Sequence, residues 1–258
     1  MEYETLHFSV FEDIATITMH RPNEMNALNA QMRAELLHAF EFAQDDARVV
    51  VLTGHGKAFC SGQDLGMSEN VASIDIETTL REEYVPLVRA ISDCTIPTIS
   101  AVNGAAAGAG ANLALCTDIT LAKESAYFLQ AFTRIGLIPD AGGTYWLPRR
   151  IGLSRALGAA LLSERISASE AADWGMIWRC VPDEEFEDSL AETARHLARG
   201  PTEAYRLAKQ AIGLSLEQSL EQQLDIECRL QGQASRTRDF REGVLAFLEK
   251  RPPEVEGR

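Results

Sequence analysis

Three short segments hold the residues whose types and spacing could do chemistry. NGAAAGAGANLALCTDI (103–119) follows an apolar run and opens a helix at about residue 108. Its small residues either let a helix pack closely on a strand or leave free N–H groups at a helix N-terminus, where they can face an anion or a developing oxyanion. GKAFCSGQDLG (56–66) follows the run VVVLTG and offers backbone donors at a second strand end. Within it Cys60 and Ser61 lack the G-x-S/C-x-G elbow of a nucleophile, and apolar surroundings make Cys60 a structural small residue. In LQAFTRIGLIPDAGGTYWLPRRIG (129–152), Asp140 stands between a proline and a small-residue turn ahead of an apolar helix. An aspartate after proline is a common turn former and N-cap, worth about 1 kcal/mol to the helix it starts.

Nucleotide-binding loops do not account for these segments. Gly108 and Gly110 supply G-x-G, but Leu113 fills the third glycine position and no acidic residue follows about 20 residues on, so the dinucleotide fingerprint fails. No Gly-Lys-Ser/Thr triplet occurs, which excludes a P-loop.

The elements that must position these loops read as an α/β core. His7 to Phe11 and Ile14 to Met19, separated by Glu12-Asp13, read as a hairpin. Met32, Leu36, Phe40 and Ala43 line one face of a helix over 30–44. Val49 to Leu52 and Ile96 to Val102 are continuous apolar runs beside helical segments, the pattern of strands buried on both faces. After about residue 150 strand signals shrink to Ile177 to Val181, while 152–162, 167–174, 184–199, 202–213, 216–232 and 240–249 carry helical periodicity. The expected organisation is a core over 1–199 and a helical C-terminal lobe over 200–258, packed on the core or on a neighbouring subunit.

Composition narrows the partners. With 38 acidic against 24 basic residues the net charge is −14, so the molecule's field repels nucleic acid and anionic membrane surfaces. The five cysteines are odd in number, far apart and without a C-x-x-C pair, which disfavours zinc sites and a disulfide framework. Residues 1–12 lack a basic region followed by an apolar one, and no run approaches the roughly 18 apolar residues of a spanning helix, so a reducing cytoplasm is the expected location.

Together the three segments resemble the crotonase, or enoyl-CoA hydratase/isomerase, superfamily over essentially the whole chain. RPNEMNALN (21–29) resembles its substrate-binding loop, KAFCSGQDL and NGAAAGAG its two oxyanion-hole segments, and IGLIPDAGGTYWLPR its active-site turn; SASEAADWGMIWRCV (167–181) and FREGVLAFLEKRPP (240–253) match as well. The resemblance implies a spiral of ββα units with a helical C-terminal lobe, assembled as a homotrimer or dimer of trimers. It implies that the backbone N–H groups of Cys60 and Ala109 grip the thioester oxygen of an acyl-CoA and stabilise an enolate. Coenzyme A then enters as part of the substrate, with no metal and no separate cofactor. Its contacts are expected near Lys57, Gln63 and Asp64, with Phe247 and Lys250 reaching in from a neighbouring subunit.

Departures from the family pattern bear on the reaction. The two positions where typical hydratases carry glutamates hold Asn112 and Phe132, neither of which can ionise, and both are expected at the acyl group. The remaining carboxylate, Asp140, resembles the base of the family's dienoyl-CoA and ring-epoxide isomerases and the nucleophile of its dehalogenases. AFTRIGLIPDAGGTYWLPRRIG, AADWGMIW and LEKRPPEVEGR most resemble the ring 1,2-epoxyphenylacetyl-CoA isomerases of phenylacetate degradation. Isomerase chemistry on an acyl-CoA is therefore expected, with hydration, hydrolysis or dehalogenation through a nucleophilic Asp140, RNA binding, and a relic site as the alternatives.

Overall fold

The structure, a computed structural model, describes residues 2–66 and 75–257. It begins with the expected hairpin, β1 (Leu6–Phe11) against β2 (Ile14–Met19), paired from Leu6↔Met19 to Phe11↔Ile14. Both turn residues, Glu12 and Asp13, take positive φ (49° and 62°), as a two-residue turn between twisted antiparallel strands requires. Helix α1 (Ala30–Asp46) starts where the Asn29 side chain accepts the N–H of Met32, and its face of Met32, Leu36, Phe40 and Ala43 is wholly buried.

From there the chain repeats one move: a strand in a large sheet, a short strand in a small sheet, then helix. β3 (Val49–Gly54), β5 (Thr98–Val102), β7 (Ile119–Lys123) and β10 (Arg179–Val181) extend the hairpin into a six-stranded sheet ordered β1-β2-β3-β5-β7-β10, parallel from β2 onward. β4 (Ala58–Cys60), β6 (Ala105–Ala107), β8 (Tyr127–Leu129) and β9 (Arg165–Ser167) make the second sheet, in which only β9 runs antiparallel. The helical parts are α2 (Ile76–Thr79), a π-helical turn (Leu80–Tyr84) and α3 (Val85–Ser92); then α4 (Ala109–Cys116); then a 3-10 turn (Phe132–Ile135) and α5 (Gly143–Leu162). This is the spiral of ββα units that the resemblance implied.

The large sheet is covered on both faces, which explains its continuous apolar strands. One face meets the main core of α1, α3 and α4. The other packs Val49, Val51, Ile99, Ala101, Leu121 and Val181 on Phe186, Ala194 and Ala198 of α7 (Phe186–Ala198), which follows α6 (Ala168–Asp173). α8 (Thr202–Leu214), α9 (Leu220–Ala234) and α10 (Arg238–Glu249) complete the helical C-terminal region. Arg48 fastens it through Gly200 O and Thr202, and Lys209 Nζ reaches Cys94 O at 2.7 Å, Ile96 O at 2.9 Å and Asp118 at 2.6 Å. The helix starts that differ most from expectation are those of α5 and α9. α5 begins at Gly143 rather than 152, and Gly152 (φ 75°, ψ 164°) is a break inside it, not its first residue. α9 begins at 220, where Ser219 and Gln222 form a capping box.

The approach of α4 to β4 is a close fit that bears on function. A Cβ on Gly110 would lie 2.5 Å from Cys60 O and 2.6 Å from its Cβ and Sγ, which the backbone of a buried strand cannot yield cheaply. Gly110→Ala is expected to cost about 1–3 kcal/mol. Thermal unfolding measures it as a drop in Tm of several degrees, and an unchanged Tm would show that α4 can shift freely.

Candidate active site

The ends of β4 and β6 bring two backbone donors together. Gly62, at φ +95°, turns its Cα toward the start of α4: a Cβ there would sit 2.8 Å from Ala107 O and 3.3 Å from Ala109 N. Ala109 is the first residue of α4, so its N–H has no acceptor within the helix, and its N-cap, Gly108 (φ 52°), has no side chain to supply one. On the other edge of residues 62–64 runs Leu28, whose N–H donates to Gly62 O (2.8 Å) and whose carbonyl accepts from Asp64 N (3.2 Å). Gln63 N–H shares a trans peptide with Gly62 C=O, which points at Leu28, so this N–H faces the opposite edge, where α4 begins.

This geometry corrects the expected role of Cys60. No atom of Cys60 is exposed; it sits in the β4–β6 ladder beneath Gly110, where burial pushes its thiol up to about 12. Neither its N–H nor a thiolate is within reach of a ligand. The donor facing Ala109 is three residues later, on Gln63, a position expected only to bind substrate.

Asp140 lies on a turn in which Ala141 (φ 46°) and Gly142 (φ 84°) are both left-handed. The turn is braced from below. Asn112 Nδ2 and Gly143 N each donate to Asp140 O at 2.8 Å, and Asn112 Oδ1 accepts from Gln130 Nε2, also at 2.8 Å. Asn112 is fully buried, so it supports the turn and is not the acyl-group contact expected of it. The Asp140 side chain does not cap α5, whose N-cap is Gly142 without a side-chain hydrogen bond. Instead Asp140 Oδ1 is buried with no hydrogen-bond partner, and burial raises the carboxyl to about 6 against the opposing pull of its own N–H.

Two further side chains close the group. Phe132 is 7% exposed, with Cζ 3.9 Å from where a Gly108 Cβ would stand, so it covers the start of α4. Tyr84, on the π-helical turn, donates its hydroxyl to Gln63 Oε1 at 2.6 Å, and its own pKa is raised by burial, with the charge of Asp140 contributing in the same direction. Tyr84 therefore holds the Gln63 side chain from a position where it also feels the charge of Asp140. Neither it nor its neighbour Arg33 was singled out in the sequence, although an arginine inside the apolar face of α1 is a signal that could have been read.

The remaining expected contacts are scattered. Lys57 is exposed on the turn before β4, and Asp64 pairs with Arg21 at 2.8 Å; its carboxyl is held low by the N–H of Gly66 first and by Arg21. Phe247 is 82% exposed and Lys250 ends α10 in the left-handed conformation; no hydrogen bond, ion pair or ring contact joins either to the site among the described residues. Among those residues, too, no helix is long and apolar enough to cross a membrane.

A family model described as enoyl-CoA hydratase/isomerase matches residues 10–258. The chain belongs to the enoyl-CoA hydratase/isomerase family. A relative from Rhodobacter capsulatus named probable enoyl-CoA hydratase is 55% identical with both chains fully covered. The 1,2-epoxyphenylacetyl-CoA isomerase of Escherichia coli K12 is 45% identical, again over all of both chains. The solved enoyl-CoA hydratase of Bacillus anthracis, 33% identical, superposes with a TM-score of 0.91 over 99% of this chain and 100% of that one. The architecture is thus the crotonase fold. These relatives of the enoyl-CoA hydratase/isomerase family carry different reactions in their names, so the choice between reactions falls to the side chains of the site.

The raised Asp140 carboxyl has a consequence for stability. The folded protein holds this proton up to about pH 6, whereas an unfolded aspartate releases it near 3.9, so native stability falls as pH rises between the two values. Asp140→Asn, which cannot ionise, is expected to be the more stable protein above pH 6, by on the order of 1 kcal/mol, or roughly 2–4 °C in Tm. Below pH 4 the difference should vanish; equal melting curves at pH 7 would show that the carboxylate is well solvated.

Proposed function

We propose that this protein is an acyl-CoA isomerase in which Asp140 carries a proton between two carbons of the acyl group. The observation that carries the reading is a carboxyl with Oδ1 buried and unpartnered, raised to about 6, on a turn that Asn112 ties to the helix beginning at Ala109, with no ionisable side chain at the positions of Asn112 and Phe132. The N–H groups of Gln63 and Ala109 accept the thioester oxygen. Asp140 removes a proton from the substrate carbon, the electron pair moves onto that oxygen as an enolate or dienolate, and Asp140 returns the proton at another carbon as the carbonyl re-forms. Each donor contributes about 100- to 1,000-fold when preorganised. No water is consumed, so the second acid or base that hydration needs is not required.

The substrates that suit this site are unsaturated acyl-CoA thioesters and, as in the name of the Escherichia coli relative, thioesters bearing an aromatic-ring epoxide. Phe132 supplies a flat apolar surface at the start of α4 for such a ring. Coenzyme A belongs to the substrate, with no separate cofactor. Lys57 and Asp64 stand at its head, and Phe247 and Lys250 of a neighbouring copy complete its site in a homotrimer or dimer of trimers. A hydratase is the second reading, favoured by the name of the 55% identical relative. A nucleophilic Asp140 would differ from both by taking oxygen-18 from water into its own carboxylate.

Asp140→Asn is expected to lower isomerisation by about 100- to 10,000-fold with little change in thioester binding. It should also abolish exchange of the substrate's α- or γ-proton with deuterated solvent. Near-normal isomerisation and exchange in that variant would return Asp140 to the role of a turn former. The wild-type protein should hydrate crotonyl-CoA far more slowly than it isomerises 3-enoyl-CoA, and comparable rates would favour the hydratase. Ala109→Pro, which deletes one donor N–H, should abolish both reactions while Cys60→Ala keeps most activity.

A further inference from the structure

Arg33 lies in the buried face of α1, 4% exposed, and its guanidinium is used on every side. Nε and Nη2 hold Glu83 at 2.8 and 2.6 Å. Nη1 donates to Leu28 O at 2.6 Å and to Gln63 Oε1 at 3.0 Å, and Cζ lies 5.0 Å from the centre of the Tyr84 ring. Tyr84 donates its hydroxyl to the same Gln63 oxygen. A guanidinium has no acceptor, so it fixes which end of the Gln63 amide is oxygen and turns Nε2 the other way, 3.4 Å from Asp64 O. Leu28 O also receives Asp64 N–H, so one cation braces residues 62–64 through the neighbouring backbone and through the Gln63 side chain.

Past Cys60 the chain has left the β4–β6 ladder, and the backbone of residues 62–64 is held from one edge, by the short bridge to Leu28. An N–H must nevertheless lie at hydrogen-bond distance from the substrate oxygen and point at it, and a displacement of about 1 Å can cost about 100-fold in rate. We infer that Arg33 and Tyr84 are positioning residues that clamp the Gln63 side chain and so aim its backbone N–H into the oxyanion site. The inference rests on the isomerase reading for its donor pair, yet the clamp is separate from the base and from Ala109. A buried arginine is costly to keep, and Glu83 offsets that cost from the outer side.

The test uses the full-length Arg33→Met, Tyr84→Phe, Gln63→Met and Arg33→Met/Gln63→Met proteins. It measures kcat and KM for 3-enoyl-CoA isomerisation, the dissociation constant of free CoA, and the absorbance of bound cinnamoyl-CoA, whose conjugated band moves to longer wavelength when its thioester carbonyl is polarised. Arg33→Met is expected to lose about 10- to 100-fold in kcat and Tyr84→Phe a smaller factor, with KM and CoA binding within about 2-fold. The red shift should shrink in both, and the double variant should be no slower than Arg33→Met, because both changes break one clamp. A wild-type red shift that persists undiminished in folded Arg33→Met and Tyr84→Phe, or losses that add in the double variant, would overturn the clamp while leaving the isomerase reading in place. A wild-type protein that leaves the band unmoved overturns the oxyanion reading and the clamp with it. If Arg33→Met does not fold, Tyr84→Phe, which removes a single oxygen atom, decides by the same two readouts.

Discussion

The site depends on how closely α4 lies on β4. Helix and strand meet at Gly110 and Cys60 with no room for a side chain between them, and this contact sets the position of Ala109 one residue earlier on the helix. A methyl group at the interface would lift the helix and carry the N–H of Ala109 away from Gly62 and Gln63. The buried Cys60 is thus the seat on which α4 rests, a packing role that its inert, protonated thiol suits.

The same helix reaches the carboxylate. Asn112 follows Ala109 by three residues, about 4.5 Å along the axis, and its amide grips the carbonyl of Asp140. Donor and carboxylate are therefore spaced by just under one helical turn and by the Asn112–Asp140 bond, with Gln130 holding the Asn112 amide in place. The cost falls on Asp140 itself, whose backbone is held while its carboxyl oxygen goes unpartnered. A carboxylate half withdrawn from water, with Oδ1 unpartnered and only its own N–H pulling the other way, is poorly stabilised in its charged form, and that same deficiency makes it basic enough to take a proton near neutral pH.

Much of this was legible in the chain. The hairpin, α1 and the buried strands β3 and β5 announced themselves through period-2, period-3.6 and continuous apolar patterns, and the C-terminal helices through amphipathic spacing. The strands of the small sheet did not. β4, β6, β8 and β9 have three residues each, too few for any alternation, and β6 is three alanines; they are strands only because neighbours hydrogen-bond to them. At the site, the glycine segment could be read as a free helix N-terminus and Asp140 as a turn residue, while the donor role of Ala109 and the proton-carrying role of Asp140 came through the family resemblance. The shift from Cys60 to Gln63 depended on where β4 stops and the chain surfaces, which residue types do not reveal. Arg33 and Tyr84 are 30 and 21 residues from Gln63, so their meeting is a product of the fold alone.

Asp140 stands on a single rigid turn with its backbone tied down on the protein side. On the proposed mechanism, a carboxylate that cannot swing across the acyl chain must take and return the proton on one side of the substrate plane. The reaction then has a fixed stereochemical course: migration is suprafacial. Because the carboxyl is largely withdrawn from water, part of a deuterium label at the starting carbon should travel with the double bond rather than wash out. Stereospecifically labelled 3-enoyl thioesters followed by NMR would read both properties, and delivery to the opposite face would require a second proton carrier that this turn does not provide.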